Sequence, residues 1–395
     1  MGQGVRFIVL NRDEHFSPEL RALLQISLAV KIVAEVDEPA LLVQAVSQFP
    51  ADVVLVNLDP TPEAVLPAMG DVANTHADIA IFATSESTDG PLILKAIRMG
   101  AREFLPKPID ARALAEAIEK VASRRDTSVT QGTLFTVMGA SGGVGATTFA
   151  TNLAVELAAI TDGKVTIVDL DYRFGQVATV LDVEPTYTLS DLCESPEQLE
   201  PQVIERALVK HDTGVHVLSR PSSFAEADTM TAASCVGLLS ALLQLNEYVV
   251  VDGPGRSDVR AKSVLDISDI NLLIVQLLVP TVRNAARILD GMREAGHNLE
   301  RTKLTFNRVG RGAAYLSIED VAQTLGMASF ASIPDDWTTV SGAINLGEPL
   351  RVHSPKSRVR LAIEEIAGRL HGADSDADDK EAPKKGLIGR IFQTT

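Results

Sequence analysis

The chain has 395 residues, enough for two or three domains with their own cores, and its 46% hydrophobic and 22% charged residues match an ordinary globular protein. A formal charge of −16 argues against the broad positive surface that nonspecific nucleic-acid binding needs. The two cysteines, Cys193 and Cys235, have no metal spacing, no apolar run reaches the roughly 18 residues of a spanning helix, and no signal peptide precedes the first strand. The expectation is a cytoplasmic protein whose membrane contact, if any, is peripheral.

Between residues 5 and 122, apolar strand patterns at 6–10, 31–34, 52–55, 80–83 and 103–105 alternate with helical patterns at 18–26, 39–48, 91–99 and 111–121. This alternation predicts an α/β unit with a doubly wound parallel sheet, functional at the C-terminal ends of its strands. The order and spacing, with Gly100-Ala101-Arg102-Glu103-Phe104-Leu105-Pro106-Lys107-Pro108, resemble the flavodoxin-type receiver domain of response regulators. That resemblance implies a phosphoacceptor aspartate ending the third strand and an acidic pair ending the first. Here those positions hold Asn57 and Asn11-Arg12. Asparagine is a poor nucleophile, and Arg12 puts a cation where a divalent metal should sit. Thr84 and Lys107 survive at the switch and phosphate-pairing positions. Asp13 and Asp59 are nearby acids that only a shifted register would bring into play. The expectation is a degenerate receiver that offers a docking or dimerisation face without chemistry.

Residues 123–132 are polar, aperiodic and glycine-ended, as a linker should be. Next comes an apolar strand at 134–138, then Gly139-Ala140-Ser141-Gly142-Gly143-Val144-Gly145-Ala146-Thr147-Thr148, then an alanine-rich helix at 147–160. A strand, a glycine loop and a helix in that order aim backbone N–H groups and a helix dipole at phosphate. The usual lysine before the magnesium-binding hydroxyl is missing: Thr147 follows Ala146. Such a loop is fit to hold a nucleotide and ill equipped to cleave it.

Further strand patterns lie at 165–170, 215–218, 248–252, 271–277, 303–307 and 330–333. Four features occur in register: the loop itself, Val168-Asp169-Leu170-Asp171, Tyr248-Val249-Val250-Val251-Asp252-Gly253-Pro254, and Phe306-Asn307-Arg308 with Ile333-Pro334-Asp335-Asp336. Together they resemble the MinD/ParA family of P-loop ATPases over residues 133–371. The resemblance implies a second doubly wound domain that binds ATP and Mg2+. Gly142, Gly143, Gly145, Ala146, Thr147 and Thr148 would wrap the phosphates. Thr147 would ligate the metal, and Asp169 would support its water shell. Asp171 would orient an attacking water, with Asp252 behind it sensing the γ-phosphate. Asn307, Arg308, Pro334 and Asp335 would line an adenine pocket. Both lysines the family uses are replaced, by Ser141 and Ala146. Removing one charge-stabilising donor typically costs on the order of 10²–10³ in rate, so hydrolysis is expected to be weak or absent. Arg173 and Arg256 are either substitute cations or surface arginines.

A helical pattern at 358–370 precedes an acidic run at 372–380 and a basic, apolar segment at 384–393. Coiled as a helix, Leu387, Ile388, Ile391 and Phe392 share one face beside Lys384, Lys385 and Arg390, the composition of an interfacial helix. Residues 372–395 thus read as an acidic linker plus a segment that resembles the membrane-targeting tail of MinD. A frayed end or a peptide docked on a partner protein is the alternative.

A receiver-like domain ahead of a MinD/ParA-like one, with Phe174-Gly175 after Asp171, resembles the CpaE/TadZ family of Flp/Tad pilus assembly. This implies a homodimeric localisation factor that binds ATP with little turnover. It would recruit type II secretion-like machinery at the inner face of the plasma membrane, often at a cell pole. The competing readings are a slow ATPase that positions another cargo and a signalling adaptor gated by the first domain. His211, His216, His297 and His353 are scattered and read as structural.

Overall fold

Runs such as Val53-Val54-Leu55-Val56 are buried on every side chain, as strands must be when helices cover both faces of a parallel sheet. The computed structural model describes residues 5–25, 30–122, 132–193, 200–253, 259–310 and 315–375. Strands β1 (Val5–Leu10), β2 (Val30–Val36), β3 (Val53–Asn57), β4 (Ala80–Ser85) and β5 (Ala101–Pro106) form a parallel sheet ordered β2-β1-β3-β4-β5. The larger sheet contains β6 (Thr133–Gly139), β7 (Val165–Asp169), β8 (Val209–Lys210), β9 (His216–Leu218), β10 (Tyr248–Asp252), β11 (Ile270–Val275), β12 (Thr302–Val309) and β13 (Ser329–Pro334). Its order is β13-β12-β11-β6-β10-β7-β9-β8, parallel except for the antiparallel edge strand β8. In each sheet the chain reverses its winding beside the first strand, and ligands of such folds bind in the crevice at that point.

Three details differ from the sequence reading. The stretch between β3 and β4 carries a helix, Pro62–Thr75, that keeps Pro67 in its interior because Val65, Leu66, Met69 and Val72 bury at helical spacing around it. The pattern at 39–48 divides into a 3-10 turn, Pro39–Leu41, and an α-helix, Leu42–Gln48. The last helix among the described residues, Arg358–Ser375, continues past Gly372, where an unstructured acidic run was expected to begin. Extending an existing helix costs far less than nucleating one. Residues 123–131 of the expected linker and the apolar segment with Leu387, Ile388, Ile391 and Phe392 lie outside the described residues.

The two sheets are joined by a charged seam. Lys31 of β2 meets Asp269 at 2.7 Å, and Arg301 Nη2 donates to the carbonyl of Val30 at 2.5 Å. Arg21 bridges Glu35 at 2.7 Å and lies 3.6 Å from Asp266. Burial pulls the Lys31 ammonium below its ordinary range, against the opposing charge of Asp269.

The helix Ala146–Ile160 runs through the core, with Glu156 only 2% exposed. Arg360 grips that carboxylate with two bonds, Nε to Oε1 at 2.8 Å and Nη2 to Oε2 at 2.9 Å, and Arg351 adds a third at 2.7 Å. Asn152 accepts the backbone N–H of Leu350 at 2.7 Å. The phosphate-loop helix is therefore fastened to the last helices of the chain. Removing one partner from a buried ion pair costs about 3–5 kcal/mol. Glu156→Gln should lose about that much in urea denaturation, and Arg351→Ala, at a 39% exposed arginine, well under half of it.

Candidate nucleotide-binding site

Gly145 ends the loop after β6 with φ of 94°, a left-handed conformation, and a Cβ there would stand 2.5 Å from Asn307 Nδ2. Only glycine satisfies both demands. The close approach is used: Asn307 Nδ2 donates to the carbonyl of Val144 at 2.7 Å, and its Oδ1 accepts the N–H of Arg308 at 2.9 Å. Gln276, just past β11, makes a longer 3.4 Å contact to the carbonyl of Gly143. Side-chain amides thus hold the loop carbonyls from behind. The N–H groups of Ala146, Thr147 and Thr148, opening the helix, have no acceptor among the described residues. An anion is the natural complement of that end.

Asp169 and Asp252 end β7 and β10, which are neighbours, and the two residues are register partners. Asp169 accepts the N–H groups of Asp171 at 3.2 Å and Val177 at 3.1 Å. Gly175 packs so closely that a Cβ would meet Asp169 Oδ1 at 2.0 Å, so the glycine is a steric requirement of that carboxylate. Asp252 Oδ2 is buried without a partner among the described residues. Burial, reinforced by the charge of Asp252, pushes Asp169 well above the usual carboxylate range. Burial also raises Asp252, against the Thr147 hydroxyl and with the charge of Asp171. Such carboxylates suit a nearby cation. Among the described residues no group of three or more His, Cys, Asp or Glu is arranged to hold a metal.

Asn307, Arg308, Pro334 and Asp335 come together in one cleft with Gly145 and Thr148, of about 410 Å3 counting the space open to solvent. Arg308 has φ of 56° and lays its guanidinium 5.1 Å from the ring of Trp337. Asp335 Oδ1 is buried there without a partner among the described residues. Sequence reasoning missed Trp337, Phe149, Val340 and Ile363, which supply the cleft's apolar walls, and Gln276 behind the loop. For Trp337 a signal existed: the chain's one tryptophan directly follows the helix cap Asp336, which accepts the N–H of Thr339.

The replaced positions are filled by neutral contacts. Ser141 Oγ lies 3.5 Å from the Thr281 hydroxyl, and Ala146 packs its methyl toward Gly139. Arg173 pairs with Asp228 at 2.5 Å and sits over the ring of Phe224, so it is engaged elsewhere. Arg256 lies outside the described residues. In the smaller sheet, Asn57 donates to Asn11 at 2.7 Å, and Arg12 donates to Thr61 at 2.7 Å. Thr84 and Lys107 lie at the ends of the neighbouring strands β4 and β5.

No family model matches the chain. It is similar to the septum site-determining protein MinD of Bacillus subtilis, 27% identical over 268 residues, which are 66% of this chain and 97% of that protein. The MinD of Synechocystis is 26% identical over 265 residues, 65% of this chain and 96% of that one. Among solved structures, a ParA family ATPase from Chlorobium tepidum superposes with a TM-score of 0.57 at 19% identity, covering 61% of this chain and 99% of its own. The MinD of Pyrococcus horikoshii, solved complexed with Mg-ADP, gives 0.54 at 20% identity, covering 62% and 98%. The larger sheet and its helices have the MinD/ParA-type P-loop fold. Among the described residues no helix is long and apolar enough to cross a membrane.

The upward shifts of Asp169 and Asp252 have a definite sign. Their folded forms hold protons more tightly than the unfolded chain, so the stability they contribute is complete below the ordinary carboxylate range. It is lost as pH rises toward their folded values. Asp252→Asn should therefore stabilise the nucleotide-free protein more at pH 8 than at pH 5 in urea denaturation. An equal effect at both values would refute the raised pKa.

Proposed function

We propose that this chain is a nucleotide-dependent localisation factor that holds Mg-ATP and turns it over slowly or not at all. The observation that carries this reading is a phosphate loop with its glycine geometry intact, set against two buried carboxylates, with alanine at the lysine position. Gly142, Gly143, Gly145 and the amides of Ala146, Thr147 and Thr148 would bind the phosphates. Asn307, Arg308, Pro334 and Asp335, backed by Trp337, would hold the base. A bound magnesium ion supplies positive charge against the phosphate oxygens. Thr147 would orient it directly, Asp169 through water, and Asp171 would position any attacking water, with Asp252 behind. Phosphoryl transfer depends on positioned cations, and this loop presents a methyl and a hydroxyl in their place.

Similarity to septum site-determining proteins supports a positioning role, and the P. horikoshii relative complexed with Mg-ADP supports the ligand. The finer assignment is assembly of Flp/Tad pili. It rests on the receiver-like unit ahead of the P-loop unit and on the Gly142-Gly143-Val144-Gly145-Ala146-Thr147-Thr148 motif, both of which resemble the CpaE/TadZ family. In this reading a homodimer recruits secretion-type assembly proteins, and residues 384–393 reach the inner face of the membrane, where two copies gain by effective concentration.

The single tryptophan gives the experiment its probe. Mg-ATP should change Trp337 fluorescence with micromolar affinity in the unaltered protein, with no turnover above background. Ala146→Lys should bind at least tenfold more tightly and acquire hydrolysis that Asp171→Ala removes. Equal turnover in the unaltered protein and Ala146→Lys would move it to the cycling ATPases, and absence of binding would overturn the nucleotide reading. Intact pili in a pilus-forming cell lacking the protein would sink the pilus assignment alone.

A further inference from the structure

The C-terminal ends of β3, β4 and β5 enclose a second polar pocket, remote in sequence from the phosphate loop. Its donors are the ammonium of Lys107, the hydroxyl of Ser85 and the backbone N–H of Glu86, with Thr84 one residue before Ser85 on β4. Lys107 is 6% exposed, held from below by the ring of Phe16, whose centroid is 4.0 Å from Nζ. Thr84 is fully buried, and its hydroxyl has no partner among the described residues. An ammonium, a hydroxyl and an amide converging on one place form a donor set for an oxyanion.

That point is already taken by an anion. Asp59 Oδ1 accepts from Ser85 Oγ at 2.7 Å, and Oδ2 accepts from the Glu86 N–H at 2.8 Å. Lys107 Nζ lies 2.9 Å from Oδ2, close enough for a charge contact although off the hydrogen-bond direction. Asn57 supports the arrangement from behind, with its Oδ1 accepting the N–H of Asp59 at 3.1 Å and its Nδ2 tied to Asn11. Partial burial by itself would raise the Asp59 pKa. The Ser85 hydroxyl, Lys107 and the Glu86 amide outweigh burial and hold the carboxyl below its usual range.

We propose that this is an oxyanion site filled from within: the Asp59 carboxylate occupies the place of a phosphate or phosphoryl group, so the first unit takes up no such group there. The tethered carboxylate has a high effective concentration and excludes free anions. This inference is independent of the nucleotide reading.

The test is isothermal titration of the full-length protein with inorganic phosphate. Any phosphate binding by the unaltered chain belongs to the loop after β6; Asp59→Ala should add a further phosphate site on top of that background, and Asp59→Ala with Lys107→Met should lose the added site. Asp59→Ser takes its place if the alanine variant does not fold. In the otherwise unaltered protein, carbon-detected NMR should find Asp59 titrating below the ordinary aspartate range and shifting upward in Lys107→Met. The proposal is overturned if a folded Asp59 variant adds no phosphate site to that background, if the added site survives Lys107→Met, or if the Asp59 titration ignores Lys107. Covalent uptake of phosphate from acetyl phosphate at Asp59, read by mass spectrometry, would also overturn it.

Discussion

Placing Asp169 and Asp252 side by side at the ends of adjacent buried strands forces the chemistry of the larger sheet. Each carboxylate is desolvated, and each answers to another carboxylate's charge rather than to a cation. No Lys or Arg among the described residues pairs with either. An uncompensated buried charge is costly, so both carboxyls are held toward their protonated forms. Much nearby structure exists to hold the arrangement: Gly175 makes room for Asp169, and the Asn307 and Gln276 amides brace the loop. The Glu156–Arg360 clamp fixes the helix that carries Thr147.

The two sheets treat their strand ends in opposite ways. Both present polar groups at the C-terminal crevice, as doubly wound sheets do. In the larger one, the buried acids have no counter-charge and the helix amides no acceptor among the described residues. In the smaller one, the donors around Lys107 meet an acid of the same chain, and Asn57 and Asn11 bond to each other. Among the described residues, one crevice has its charges balanced internally and the other does not.

Much of this was legible because strand ends follow from local pattern. Apolar runs placed Asp169 and Asp252 on strands, the receiver resemblance placed Asn57 and Thr84 at strand ends, and the glycine loop announced its own shape. What escaped depends on contacts between distant segments. Gln276 and Trp337 act on residues far away in sequence, and nothing local marks a glutamine as a loop brace. Asp59 looked like a surface acid because its direction is set two residues past the strand, by where Ser85, Glu86 and Lys107 happen to stand. The helix with Pro67 was hidden because proline opposes helix locally, and tertiary burial overrode it. The end of the last helix at Ser375 was hidden because glycine and acidic residues signal a stop that an established helix can pass.

The seam between the sheets has a consequence for how this molecule can be divided. Arg301, Lys31, Asp266 and Asp269 meet where β2 rests on the helix Val259–Ile267, the next described element after the Asp252 strand. Cutting the chain between its two sheets would bare half of each ion pair and strip packing from that helix. The P-loop part is thus no interchangeable cassette: its surface was shaped with the first sheet in place, and measurements on it alone would describe a molecule with a different electrostatic boundary.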